Sequence, residues 1–195
     1  MKLSKRGEYG LRAMIDLALA RELGRDLVQL NELAESEKIP IKFLEQIVLA
    51  LKDGGFLESV RGKYGGYRLA RPAKEILAGQ IVRYLEGPLA PISCVSQTAY
   101  QRCSCPDEAH CGLRMLMLDV RNAIANILDR YTLANVVEVT LRKMRSNNID
   151  LPFAVKPRVA GRATQTKSTS APVKLSPPLT PSETGLGEFL YREGI

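Results

Sequence analysis

Every cysteine of this 195-residue chain lies in the stretch "CVSQTAYQRCSCPDEAHC", from Cys94 to Cys111, and the single histidine, His110, stands beside the last of them. Thiolates and imidazoles are ligands for soft and borderline metals, so the stretch offers five candidate donors to one centre. Pro91, Pro106 and Gly112 mark it as a loop, which lets sulfurs distant in sequence meet. Between successive cysteines lie eight, one and five residues, and without a paired CxxC knuckle the spacing is wrong for a zinc ribbon or finger. An iron-sulfur cluster accepts irregular spacing because its corners are spread over a larger core. Spacing leaves three chemistries open: an iron-sulfur cluster, a zinc site on Cys94, Cys103, Cys105 and Cys111, and a thiol switch in which Cys103 and Cys105 pair. A surface histidine next to a cysteine is more often incidental than a ligand.

The rest of the chain bounds what such a site serves. With 28 Lys and Arg against 21 Asp and Glu, the formal net charge is +7, which favours an anionic partner. No run approaches eighteen apolar residues, so no membrane span is expected. In the opening "MKLSKRGEYGLRAM", Glu8, Arg12 and Asp16 interrupt any apolar run, so no signal peptide is expected and the cytoplasm is the expected compartment. There, clustered cysteines are ligands or redox thiols rather than structural disulfides. A single histidine, no phosphate-binding glycine loop and no nucleophile, base and orienter set argue against an enzyme.

Hydrophobic spacing supplies the elements that must position the loop. Leu11, Ile15, Ala18 and Leu19 form one helical stripe, with Gly24 as its stop. A second short helix carries Leu30, Leu33 and Ala34. Pro40 suits the first turn of a third, with Ile41, Leu44, Ile47, Val48 and Leu51 facing inward and Lys42, Glu45, Gln46 and Leu49 outward. Two short runs, 56–60 and 67–70, flank a tip containing Gly62, Gly65 and Gly66, a hairpin signal. A helix over about 77–86 ends at Gly87-Pro88 and leads into the cysteines. Beyond them Leu113, Leu116, Val120, Ile124, Ile127 and Tyr131 make an apolar seam that one helix cannot hide alone, which points to a two-fold dimer. Thr132 caps a further short helix. After about Ser146 the chain is rich in proline, serine and threonine, and no fold is expected of 147–195.

Charge placement gives the hairpin its meaning. From Ser59 to Lys74 there are Arg61, Lys63, Arg68, Arg71 and Lys74 and no acid, the footprint of a wing along phosphates. In a helix-turn-helix the second helix enters the major groove, which would present Pro40, Lys42, Phe43 and Gln46 to base edges. Arg61, held at the tip by neighbouring glycines, has the reach to enter a minor groove.

The stretches "MKLSKRGEYGLRAMIDLA", "FLEQIVLALKDGGFLESVRGKYGGYRLAR", "EGPLAP" and "CGLRMLMLDVRNAIANILDRYTLANV" carry a likeness over about residues 1–140. The chain resembles the Rrf-two family of winged-helix transcription regulators. The resemblance implies a mainly α fold with a small β-hairpin wing, a winged helix-turn-helix followed by a long dimerisation helix. It divides the chain into a DNA-binding domain (1–77), a connecting helix and turn (78–93), the cluster-binding loop (94–111), a dimerisation helix with a short following helix (112–146) and the tail (147–195). It implies a homodimer on a double-stranded, pseudo-palindromic operator, a repressor sensing iron, cluster supply, nitric oxide or redox state through an iron-sulfur cluster, 2Fe-2S ahead of 4Fe-4S. The family's three cysteines map to Cys94, Cys105 and Cys111, with Cys103 competing for the middle place. Some relatives place a histidine after the third cysteine, where this chain has Arg114, so His110 takes no role by this route. Others recruit a carboxylate from the partner's N-terminal helix, where Glu8 stands. By the same carry-over Lys42, Phe43, Glu45 and Gln46 lie near DNA, and Lys63 and Tyr64 stand at the wing tip where relatives often have proline and glycine. The alternatives are a cluster-free thiol or zinc regulator, and an iron-sulfur carrier, which would need no basic wing.

Overall fold

The computed structural model describes residues 2–153; the expected unfolded tail lies largely outside the described residues. In order come α1 (Lys5–Glu22), α2 (Leu30–Glu37), α3 (Ile41–Asp53), β1 (Leu57–Val60), β2 (Gly66–Leu69), α4 (Ala78–Glu86), α5 (Gly112–Arg130) and α6 (Leu133–Ser146). Single 3-10 turns stand at Ala73–Glu75 and Ser93–Val95.

The helices begin and end where local chemistry demands. Ser4 caps α1, its Oγ accepting from the Gly7 N–H at 3.2 Å, and Glu8 places a negative charge in the first turn. Gly24, at φ +84°, takes the chain out of α1 in a left-handed conformation open to glycine. The last turn of α2 closes on Lys38, which adopts the left-handed region at φ 53° despite its side chain. Pro40 then stands at the N-cap of α3, one residue ahead of its first turn. Thr132 caps α6 as expected, its Oγ1 accepting from the Asn135 N–H at 3.2 Å.

One core joins most elements. Met14, Leu17 and Leu19 of α1, Leu33 of α2, and Leu44, Ile47 and Leu51 of α3 meet Ile81 and Leu85 of α4. Leu133, Val137 and Leu141 of α6 complete the same core, so the helix after the long one returns to the first domain. Burial of these side chains is worth about 1.5–3 kcal/mol each before entropy is charged against it. Ile41 was expected to face inward and does not: it is 43% exposed. It stands at the first position of α3, directly after the Pro40 N-cap.

The sheet is a two-stranded antiparallel hairpin with Leu57 opposite Leu69 and Val60 opposite Gly66. A bridge ties it to the α1–α2 loop, with Val28 N–H to Tyr67 O at 3.1 Å and Tyr67 N–H to Val28 O at 2.9 Å. That approach needs Gly66, because a Cβ there would sit 2.4 Å from the Val28 carbonyl oxygen.

Helix α5 differs from the others in having no buried residue among its nineteen. It is held at its C-terminal end by a two-pronged ion pair from Arg83 on α4 to Asp129, both bonds 2.6 Å. Leu113, Leu116, Val120 and Ile127 of the expected seam are exposed, whereas Tyr131 lies just past the helix at its C-cap. No helix among the described residues is long and apolar enough to cross a membrane.

Candidate nucleic-acid interface and cysteine loop

The outward face of α3 carries Lys42, Glu45 and Gln46, all exposed, below an exposed Pro40. Phe43 is 38% exposed and meets the Tyr9 ring edge-on, centroids 5.8 Å apart. Lys5 and Arg12 lie over that Tyr9 ring at 5.3 and 5.5 Å, so the N-terminal ends of α1 and α3 form one cationic and aromatic surface.

The hairpin tip joins β1 to β2. Gly62 has φ +116° and its carbonyl accepts from the Gly65 N–H at 3.0 Å, closing the tip. Gln29, at the N-cap of α2, donates from Nε2 to the Lys63 carbonyl at 3.3 Å and ties the wing to the helix-turn-helix. Arg61, Lys63 and Tyr64 are all exposed, and Lys63 lies over the Tyr64 ring at 5.7 Å. The structure reduces the five expected cations. Arg68 donates to Glu58 at 3.0 Å and to Asp26 at 3.1 Å, so its charge is met within the fold. Arg71 lies over the Phe56 ring at 5.7 Å. Arg61 has no ion pair among the described residues and remains the tip's uncompensated guanidinium.

The cysteine loop runs between α4 and α5. Cys94 is buried in the 3-10 turn, and Cys111 stands at the N-cap of α5, its carbonyl accepting from the Met115 N–H at 3.1 Å. All four thiols are free. The sulfurs meet in sequence order: Cys103 interacts with both Cys94 and Cys105, and the Cys105 and Cys111 Sγ atoms are 4.0 Å apart. The Cys105 thiol is pushed up to about 12 by Cys103, then by Cys111 and by burial. Cys103 is lowered because Cys105 hydrogen-bonds to it, and Cys94 is raised chiefly by burial. Among the described residues no group of three or more His, Cys, Asp or Glu side chains is gathered into a metal-binding shell. The donor set has the softness an iron-sulfur cluster requires, while its geometry is a string of sulfur pairs.

Glu8 sits in the first turn of α1, 2.7 Å from Lys5 Nζ and 3.6 Å from Arg12. The Lys5 hydrogen bond holds its carboxyl below the usual range. No hydrogen bond or ion pair joins Glu8 to the cysteine loop of its own chain among the described residues. His110 points its Nδ1 at Asp107 Oδ2, 2.7 Å away, and is largely exposed.

Two features escaped sequence reasoning. Glu108 sits inside the loop, accepting the Tyr100 hydroxyl at 2.8 and 2.9 Å with Arg114 at 3.3 Å, and its charge bears on Cys94 and Cys103. Loops have no periodicity from which such a meeting can be read. Asp16 is buried in α1, and the one signal was an acid inside the apolar run "AMIDLALA".

Comparison with known proteins agrees with this architecture. The Rrf2 family model, described as "Iron-dependent Transcriptional regulator", matches residues 3–139. The HTH-type transcriptional regulator CymR of Bacillus subtilis is 34% identical over 140 residues, which cover 72% of this chain and 92% of that protein. The solved structure of T. potens IscR superposes with TM-score 0.56 at 31% identity, covering 72% of this chain and 88% of that one. The oxidized form of Staphylococcus aureus CymR gives TM-score 0.56 at 36% identity, covering 71% and 97%. These relatives are regulators rather than enzymes. With the family model matching residues 3–139 and relatives more than 30% identical over the same span, the chain belongs to the Rrf2 family of DNA-binding transcriptional regulators.

Proposed function

We propose that this chain is a cytoplasmic, homodimeric repressor that reads iron, cluster supply, nitric oxide or redox state through a cysteine-ligated iron-sulfur cluster of the 2Fe-2S type. The observation that carries the reading is the placement of the sulfurs. Cys94 is fixed in the turn that follows α4, Cys111 is the N-cap of α5, and Cys103 and Cys105 interact between them. Cys94, Cys105 and Cys111 hold the cluster in this reading, Cys103 competes for the middle position, and Glu8 of the opposite protomer completes the set. A cluster bound there supplies a link sensitive to iron and to oxidation.

The chain's own residues turn that link into a DNA response. Residues 94–111 connect a reading head built on 1–77 to the exposed apolar seam of α5. Tightening or releasing the loop moves Cys111, and with it the start of α5, relative to Cys94. In a two-fold dimer paired through α5, that motion changes the angle between two recognition helices, which must meet half-sites about 34 Å apart. Pro40, Lys42, Phe43, Glu45 and Gln46 face the major groove, Arg61 enters the minor groove, and Lys63 and Tyr64 lie along the backbone.

A second reading has its own support. The 4.0 Å approach of the Cys105 and Cys111 sulfurs, and a Cys103 thiol lowered by Cys105, suit a cluster-free thiol switch. Purification without oxygen separates the two. Iron and labile sulfide in equal amounts, with cluster absorption and Mössbauer spectra, support the first. A colourless protein whose thiols oxidise in pairs supports the second, and stoichiometric zinc sinks both.

A further inference from the structure

Asp16 is the acid that the fold buries on the inward side of α1, at 6% exposure. Its Oδ2 is buried with no hydrogen-bond partner, and Glu37 and Ser36, the last residues of α2, are the neighbours that act on its carboxyl. Burial first, and the Glu37 charge next, push Asp16 up to about 7. Glu37 is gripped from the other side by Arg12, whose Nε donates to Glu37 Oε2 while Nη2 donates to the Glu37 carbonyl at 2.9 Å. Arg12 also reaches Glu8 at 3.6 Å. Charged groups on the other elements against α1 are engaged elsewhere: Glu86 of α4 with Ser4, Glu138 of α6 with Arg142, and Arg68 of β2 with Glu58. Lys42 and Glu45 of α3 are exposed on its outer face.

Two carboxyls beside one guanidinium in a buried contact are matched in charge when one of them is protonated. The position of the pair gives this a consequence. Glu37 is followed at once by the left-handed Lys38, the buried Ile39 and the Pro40 N-cap, so whatever fixes Glu37 fixes the start of α3. We propose that Asp16 is the protonated member of the α1–α2 contact, turned toward Glu37, and that it is thereby a positioning residue that holds the recognition helix in its DNA-reading place. When the proton leaves, two carboxylates face each other and the end of α2 is driven from α1, taking the N-terminal turn of α3 with it.

The sign follows from the raised carboxyl. The stabilising, protonated arrangement is complete at low pH and is lost as pH rises through about 7. The inference rests on α3 being the recognition helix, so its test has two arms. Titration of the Asp16 carboxyl carbon by NMR in the full-length protein, with no DNA present, reads the proton directly; a midpoint near that of an ordinary aspartate overturns the proposal. Operator affinity of the cluster-loaded protein is then followed from about pH 6 to about pH 8.5, where release of one proton costs up to about tenfold per pH unit. Asp16→Asn, which keeps a donor toward Glu37, is expected to hold the low-pH affinity across the range. Matching pH profiles in parent and Asp16→Asn, with both folded by circular dichroism, refute the coupling. A raised Asp16 midpoint with no operator binding at any pH would instead count against α3 as the reading helix.

Discussion

Placing a charge on the α5 seam tests the dimer most sharply, and Leu116→Glu is the variant of choice. Leu116 is 57% exposed, and Leu113, Val120 and Ile127 on the same stripe are 56%, 38% and 47% exposed. Complete burial of a leucine is worth about 1.5–3 kcal/mol, so the exposed half of Leu116 has roughly 1–1.5 kcal/mol left to gain. A two-fold interface counts it twice, about 2–3 kcal/mol, before the two carboxylates that replace it are desolvated. The dimer should therefore weaken by at least about a hundredfold. No α5 residue is buried in the protomer, so the fold itself should be unchanged. Sedimentation velocity over a dilution series reads the dissociation constant, circular dichroism reads the fold, and Asn122→Glu, exposed on the side of α5 away from the stripe, is the charge control. The variant should also lose operator affinity, since one head alone makes half the contacts. A dissociation constant within threefold of the parent's would refute the placement of the dimer seam.

Three further outcomes follow from particular contacts. Arg61→Ala should weaken operator binding and lower the slope of log affinity against log salt by about one, and unchanged slopes would remove Arg61 from the DNA contact. Glu8→Ala should shorten the lifetime of the cluster in air while leaving the dimer intact; equal bleaching rates in variant and parent would strike Glu8 from the ligands. Gly66→Ala forces a Cβ to within 2.4 Å of the Val28 carbonyl oxygen, a backbone atom that cannot rotate away. Losing that bridge should cost about 1–3 kcal/mol, read as a fall in melting temperature, and Tm equal to the parent's would show the wing to be independent of the α1–α2 loop.

What was legible in the sequence was local. The N-cap of the last helix, the glycine tip and the stop at Gly24 follow from residues within a few positions of each other. What was not legible depended on partners from afar. Arg68 read as a wing cation, but its partner Asp26 is 42 residues away. Ile41 fits the helical period of α3, yet periodicity does not say which of its positions are covered. The last helix read as an adjunct of the long one, although Leu133, Val137 and Leu141 belong to the core with α1. In the cysteine loop, residue types named the chemistry, while the order in which the sulfurs meet and the intrusion of Glu108 are products of the folded chain.

In the proposed mechanism the state of the cysteine loop controls the spacing of two DNA-reading heads. Its most direct measurement is selection of genomic fragments by the protein purified without oxygen, followed by affinity for the selected operator before and after the cluster is stripped. The selected operator should be pseudo-palindromic with half-sites about one helical turn apart, and its affinity should change at least about tenfold between the two forms while the dimer persists. Equal affinity in both forms, or selection of sites without two-fold symmetry, would contradict it.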